Sequence, residues 1–391
     1  MHPTIVSPLD VEHANTRELF PVLRQHSNID CDILDSTCMS VPRRLALDAP
    51  CRADDGSTRL ALFADCTADP LTVLAEIQRL GNEYIPLIRE ARVWAVQTGH
   101  NGDASVMDLA VEYLMVKLLV PMAFLVSGRL HVQTLPKYAY SVKQTLKSAE
   151  RLVRLFKQLA PNIDSSRLCI SVIASWHGLK VCEILRNDTT GLFYGIATRA
   201  VATYSTAQIL SALYRKCTYI KFLIRPLGAI ILPAGQKTRF KSFCKILSLY
   251  RHRINLIHLT HVYAYKNTTT RVTAGSVSSC WDATELAGID HVGLTKDHLS
   301  RLVQSFDYPV LNWQAPSLPR GVRDGDQSLL EREQARIDPL RDEEDYASWL
   351  PRHLASKDGS DAIDFQRALT CFCRAQNDLE EIITTVQDDN P

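Results

Sequence analysis

The sequence predicts an α/β protein organised around one parallel sheet, and three observations carry that prediction. Short apolar runs of strand length alternate with longer runs of helical spacing between residues 31 and 294, an alternation that builds parallel strands linked by crossover helices. Residues 167–179, RLCISVIASWHGL, read as a buried strand (168–174), a tight turn and a helix starting near Trp176. The chain of 391 residues, 46% apolar and 22% charged, can bury a large core, and a (β/α)8 barrel with insertions commonly reaches that size.

Composition removes several classes of function. A net charge of +1 gives no global drive toward nucleic acid or an anionic membrane. The 11 cysteines have no framework spacing, and Cys169, Cys182, Cys217 and Cys244 sit in strand- or helix-like runs. Reduced thiols and a cytoplasmic protein are expected. The start, MHPTIVSPLDVEH, lacks a basic-then-apolar leader pattern. The most apolar stretch, 109–126, is interrupted by Glu112, Lys117 and Pro121, so it reads as a buried helix and not as a membrane span.

In chain order, residues 1–29 read as an arm or short helix and 31–35 as a first strand. A Pro/Asp-rich insert, 42–57, precedes a second strand at 59–67. Pro70 suits the first turn of a helix over 71–80, where its missing N–H has no helical partner. A helix over 106–125 leads to a third strand, 130–133, and to a helix over 142–159 with Leu146, Ala149, Leu152, Leu155 and Phe156 on one face. The fourth strand is followed by a helix (178–186) and a small insert (187–194). Residues 195–208 hold a fifth strand and a helix start, 218–224 a sixth strand, 229–254 an insert with a basic helix, 270–276 a seventh strand and 285–294 an eighth. A helical tail closes the chain over 342–386.

These segments resemble, in order, the transaldolase family of the class I aldolase superfamily. Ile170, Ala174, Ser175, Trp176 and Gly178 match that family's I-K-x-A-S/A-T-W-x-G; DCTADP (65–70) is similar to its D-A-T-T-N-P; GIATRAVATYSTAQ (195–208) is similar to its fifth strand and helix start; and ELAGID (285–290) resembles its L-A-G-C-D. The resemblance covers roughly residues 30–386. It implies a single (β/α)8 TIM barrel of transaldolase type over 30–318. An N-terminal arm (1–29) precedes it, and a linker with a C-terminal helical tail packed on the barrel (319–391) follows.

What the resemblance implies about the site is altered by substitutions. The lysine that forms the family's Schiff base is Ser171 here, and a hydroxyl forms no imine. The family's first-strand aspartate is matched by Asp35, which reads either as a general acid/base or as a turn-forming cap. Its water-activating glutamate is matched by Gln133, which can hold a water or carbonyl but takes no proton. Its threonine is kept as Thr67, and Asp69 reads as a substrate contact or, better, as a helix N-cap. On the fifth strand stand Arg199 and Val201, with Tyr204 at the place of an acid/base tyrosine in fructose-6-phosphate aldolases. The two phosphate-gripping arginines fall on Pro226 and Ser278, so Arg199 or Arg225 would have to carry that charge; Ser276 is a further substrate contact. Lys221 stands where other class I aldolases carry their Schiff-base lysine. Apolar neighbours Phe222, Leu223 and Ile224 would lower its pKa by desolvation; the alternative is a lysine pointing outward or paired with Asp35. Lys296 is a second amine, or a helix start.

Other patterns read as structural. His258 and His261 share a helical face without a third ligand nearby. Cys371 and Cys373 read as packing thiols, and the basic run 237–253 as a solvated amphipathic helix rather than a nucleic-acid surface. The expectation is a repurposed barrel enzyme that performs carbon–carbon bond or cyclisation chemistry on a small carbonyl metabolite, in specialised metabolism and not the pentose-phosphate route. Lys221, Asp35, Tyr204 and Gln133 would do the chemistry, without metal or cofactor, nucleic acid or membrane, and a homodimer is compatible with it. The alternatives are a non-catalytic binding barrel, or a conventional transaldolase whose lysine has moved.

Overall fold

The computed structural model describes residues 19–35, 51–52, 58–59, 61, 63–99, 104–224, 240–277, 279–304 and 360–386. Eight parallel strands close into a barrel: β1 (Asn28–Cys31), β2 (Cys66–Ala68), β3 (Leu130–Gln133), β4 (Leu168–Ile173), β5 (Ala197–Thr203), β6 (Tyr219–Leu223), β7 (Arg271–Gly275) and β8 (His291–Leu294). Each pairs with its sequence neighbour, and β1 closes the ring by pairing with β8 and β2. The helices are α1 (Leu19–His26), α2 (Pro70–Leu80), α3 (Ile85–Thr98), α4 (Val106–Leu119), α5 (Val142–Leu159), α6 (Trp176–Asn187), α7 (Thr206–Tyr214), α8 (Phe240–Asn267), α9 (Cys280–Glu285), α10 (Lys296–Gln304) and α11 (Ser360–Thr385). None of them is long and apolar enough to cross a membrane.

Local chemistry explains where the helices start. Asp69, Ser105, Ser141, Ser175, Ser205 and Ser279 each accept a hydrogen bond from a backbone N–H of the first turn that has no partner within the helix. The main core lies between barrel and helices and draws on β-strand residues such as Ile170, Val172 and Ile220 against Leu152, Phe156 and Val181. Glu112 on α4 forms a buried ion pair in that layer, taking Arg151 of α5 in two bonds of 2.7 Å, and the Ser148 hydroxyl adds a third at 2.6 Å.

The predicted elements need four corrections. The first strand runs over Asn28–Cys31 and not 31–35, because the Ile33 carbonyl is taken by the thiols of Cys31 and Cys66, each at 3.4 Å, and the ladder ends there. The second strand is only Cys66–Ala68; Thr58–Arg59 instead pairs antiparallel with Cys51–Arg52, and Phe63 makes an isolated bridge to Val126. The eighth strand begins at His291, since Gly288 adopts φ 100° and turns the chain before it. The basic helix extends to Asn267, 28 residues in all. The insert 42–57 apart from Cys51 and Arg52, the linker 319–344, and Tyr346 and Trp349 of the tail lie outside the described residues.

The turn after β4 holds as expected. Trp176 is buried, with the Arg215 guanidinium over its ring at 5.8 Å. A Cβ added at Gly178 would lie 2.1 Å from the Ile173 carbonyl oxygen, so α6 approaches β4 more closely than any side chain permits. Trp176→Ala should therefore cost about 3–5 kcal/mol in chemical denaturation; a loss below about 1 kcal/mol would place the indole outside the packed core. Gly178→Ala should destabilise as well, against the helix-propensity gain of about 1 kcal/mol that alanine normally brings. A stabilised variant would refute the close approach.

Candidate active site

A cleft of 510 Å³ opens at the C-terminal ends of the strands, the end that carries the loops after each strand. Its polar wall includes Asp32, Asp35, Asp69, Lys221, Ser276 and Lys296, and its apolar wall Val201, Leu223 and Phe372. At its base the Lys221 ammonium donates to both oxygens of Asp32, at 2.8 and 2.9 Å. Two glycines make that pair fit. A Cβ at Gly275 would meet Lys221 Cε at 2.6 Å, and one at Gly293 would meet Asp32 Oδ2 at 2.6 Å.

The electrostatics follow from this pairing. Burial pushes the Asp32 carboxyl up, but Lys221, the more distant Arg199 charge and the Thr67 hydroxyl outweigh it and hold the group below the usual carboxylate range. Asp69 moves the other way: burial raises its pKa, and Lys221 and the backbone N–H of Thr72 only partly offset that. At the rim, Asp35 is itself buried and receives Lys296 Nζ at 2.9 Å, with Arg79 Nε at 3.6 Å. Arg79 is also doubly bonded to Glu76, at 2.8 and 2.7 Å. Ser276, on the cleft wall, sits at φ 57°, a left-handed conformation uncommon for a non-glycine residue and concentrated at functional sites.

Beneath the cleft, a second group is closed off from solvent. Arg199 on β5 crosses the barrel and donates to Ser171 Oγ at 2.9 Å and Thr67 Oγ1 at 3.1 Å. Gln133, Ser171 and Arg199 are direct partners across β3, β4 and β5, and all three are buried. Above them, Ile173, Val201 and Leu223 pack with Phe365, Leu369 and Phe372 of α11. Tyr204 is buried in the same cluster, burial raises its pKa, and the Arg253 guanidinium lies over its ring at 5.0 Å. Arg253 also pairs with Asp364 of α11 and donates to the Ile224 carbonyl at 3.1 Å, which ties the helix to β6. An irregularity in β5, where Ala202 takes φ 62°, shifts the register between Val201 and Thr203 just before this tyrosine.

At the opposite end of the barrel interior lie Asp30, Asp65, His131 and His291. Asp65 accepts from His131 Nε2 at 2.9 Å and from the Arg129 backbone N–H at 2.6 Å; Asp30 pairs with His291 Nδ1 at 2.8 Å. Burial and the Arg199 charge lower the His131 pKa to about 3, so its imidazole is neutral.

The structure thus brings Lys221, Asp69, Ser276 and Asp35 to one cleft and sets Gln133, Ser171, Arg199 and Tyr204 away from it. Thr67 joins the two groups. Arg225 and Ser278 lie outside the described residues. Lys221 faces inward, as expected, but its amine lies against a carboxylate and not among apolar neighbours. Its partner is Asp32, three residues before the Asp35 expected there. The sequence does carry a signal for Asp32: in NIDCD, acids at 30 and 32 alternate with Ile29 and Cys31, which puts both carboxylates on one strand face. Lys296 opens α10 and bonds to Asp35. His258 bonds to the Glu285 carbonyl at 2.7 Å, and His261 approaches Asp290 at 3.6 Å, so each histidine has its own partner.

Comparison with known proteins agrees with the barrel and its ordered motifs. A family model described as Transaldolase/Fructose-6-phosphate aldolase matches residues 58–320, more than half of the chain. A protein named transaldolase from Gibberella intermedia is 26% identical over 241 residues, covering 62% of this chain and 70% of its own length. Transaldolases of Haemophilus ducreyi (25% over 262 residues; 66% and 76%) and Rhizobium leguminosarum bv. trifolii (25% over 244 residues; 61% and 70%) are similar to the same extent. A closed eight-stranded parallel barrel, the strand-turn-helix step through Trp176 and Gly178, and this match over most of the barrel lead to one assignment: the chain belongs to the transaldolase/fructose-6-phosphate aldolase family.

Proposed function

We propose that this protein is an enzyme in which Lys221, at the base of the cleft, performs the amine chemistry that Ser171 cannot, acting on a small carbonyl compound. The observation that carries this reading is the Lys221–Asp32 pair, set on the cleft floor with Gly275 and Gly293 clearing the space around it. Asp32 takes a proton from the ammonium, and the neutral amine attacks the carbonyl carbon. Asp32 gives that proton to the carbonyl oxygen, then takes a second proton from the attached nitrogen and passes it to the same oxygen, which leaves as water, so that a protonated imine remains. The imine withdraws electrons from the neighbouring carbon, so that a C–C or C–H bond there breaks or forms. Asp69, with its raised pKa, is placed to give a proton to the product side. Cyclisation or aldol chemistry in specialised metabolism, in a cytoplasmic enzyme, fits this arrangement. A second reading, a non-catalytic binding barrel, is favoured by α11, whose Phe365 and Phe372 close the family's reaction centre at Ser171.

Two results test the proposal. Purified protein should show no transaldolase turnover on fructose 6-phosphate with erythrose 4-phosphate; a rate of about 1–10³ per second, that of an ordinary enzyme, would make it a conventional transaldolase whose amine has moved and would refute the cyclisation or specialised-metabolism reading. Borohydride in the presence of a carbonyl ligand should leave a mass adduct that peptide mapping puts on Lys221. Lys221→Met should abolish the adduct, and Gly275→Ala should reduce it by crowding Lys221 Cε. An adduct of undiminished yield in Lys221→Met would assign the amine elsewhere, Lys296 first.

A further inference from the structure

Among the described residues the barrel interior holds the cations Lys221 and Arg199, and of the two only Lys221 is hydrogen-bonded to a carboxylate. Lys221 takes both oxygens of Asp32. Arg199, 1% exposed, has only the neutral hydroxyls of Ser171 and Thr67 as hydrogen-bond partners, and its Nη2 has none among the described residues. Asp32 and Asp69 both feel the Arg199 charge, yet neither bonds to it, since Asp32 is committed to Lys221 and Asp69 caps α2. A guanidinium removed from water and left on neutral partners is destabilised by its lost hydration unless an anion joins it.

Gln133 points to the same place independently. Its side chain is 0% exposed, and neither Oε1 nor Nε2 has a hydrogen-bond partner among the described residues. Arg199 bridges Ser171 on β4 and Thr67 on β2, and β3, which carries Gln133, runs between those strands. Gln133 also pairs directly with Ser171 in register. Ser171 thus holds the guanidinium by a hydrogen bond and has Gln133 as its register partner on the other side, while Thr67, the far end of the bridge, pairs with His131 of the same strand. Water would satisfy the hydrogen bonds but leave the guanidinium without a carboxylate bonded to it, with Asp32 and Asp69 acting on its charge only from a distance. A carboxylate would do both, accepting from Arg199 Nη2 and Gln133 Nε2.

We propose that Arg199 and Gln133 form a carboxylate seat beneath the cleft, and that the substrate is a short oxo acid whose carboxylate occupies it. The substrate class rests on the reading of Lys221 as the amine; the seat itself does not. One hydroxyl, that of Thr67, bonds to both Arg199 and Asp32, and Asp32 holds Lys221. Carboxylate site and amine are thus neighbours along one polar path from the sealed level into the cleft. The seat lies at Ser171, where the family's lysine would stand, so the same level of the barrel is kept polar but given to binding instead of covalent chemistry.

Ligand-observed NMR on the full chain with pyruvate, acetone and acetamide tests this directly. Pyruvate should bind saturably and the two neutral compounds should not, and Gln133→Leu and Arg199→Lys should each weaken pyruvate binding by about tenfold, with Arg199→Met at least as weak if it folds. Thermal melts of each variant report folding, so Gln133→Leu and Arg199→Lys decide the matter should Arg199→Met fail to fold. Pyruvate binding no tighter than acetone, or unchanged in folded Gln133→Leu and Arg199→Lys, overturns the seat. Borohydride then separates the two proposals. Pyruvate that binds through Arg199 without a Lys221 adduct keeps the seat and ends the imine reading. Acetone and pyruvate trapped equally on Lys221 keep the imine and end the seat.

Discussion

The site depends on one ion pair and on the space cleared for it. Lys221 and Asp32 project from β6 and from the end of β1, and between them along the barrel wall stand β7 and β8, which present Gly275 and Gly293. Any side chain at either glycine would collide with the pair, so two strands give up interior packing to let it form. Such a pair is a weak source of stability, because desolvation offsets most of its Coulomb energy, but breaking it by removing one partner typically costs about 3–5 kcal/mol. A buried lysine held in this way has a fixed position and a proton acceptor in contact with it.

That arrangement accounts for how the barrel is filled. Small parallel barrels are usually packed inside by branched apolar side chains in layers. Here the interior carries two polar groups: Asp30, Asp65, His131 and His291 toward one end, and Asp32, Thr67, Gln133, Ser171, Arg199 and Lys221 nearer the cleft. Cys169, Ala197 and Tyr219 form a small apolar cluster beside the lower group, and Ile173, Val201 and Leu223 form another above, covered by α11. Arg199 is the largest consequence of the serine at 171: with a short hydroxyl there, a long guanidinium from the next strand crosses the barrel and bonds to it.

Much of this was legible in the chain. Strands three, four, five and six, the helix over 142–159 and the cap at Asp69 follow from apolar period and capping chemistry, which act locally. The inward orientation of Lys221 follows from strand alternation once the register of β6 is right. What the sequence hid depends on distant contacts. Asp32 and Asp35 are both acidic residues near a strand end, and only the position of Lys221, 189 residues further on, separates their roles. The sealing of Ser171, Arg199 and Tyr204 was hidden for the same reason, since it is made by α11 at the far end of the chain. Gly275 and Gly293 read as ordinary strand glycines until their neighbours across the barrel are known.

The position of α11 also bears on how the family's chemistry is distributed in this chain. Its Phe365, Leu369 and Phe372 lie over β4, β5 and β6, while the open cleft lies toward β1, β2, β7 and β8. Lys221 and Leu223 on β6 stand at the border, lining the cleft from one side. A helix that covers one half of the barrel mouth and leaves the other half open makes the cleft side the face that Lys221 lines. It also keeps water away from Arg199 and Gln133, where a low dielectric strengthens any charge-assisted hydrogen bond made to them. The latch between Arg253 and Asp364 fixes the helix over that half, and Arg253 stacks on Tyr204 in the same contact. The polar level that serves covalent catalysis in the family is thereby covered on one side and reached from the other, through the Lys221–Asp32 pair.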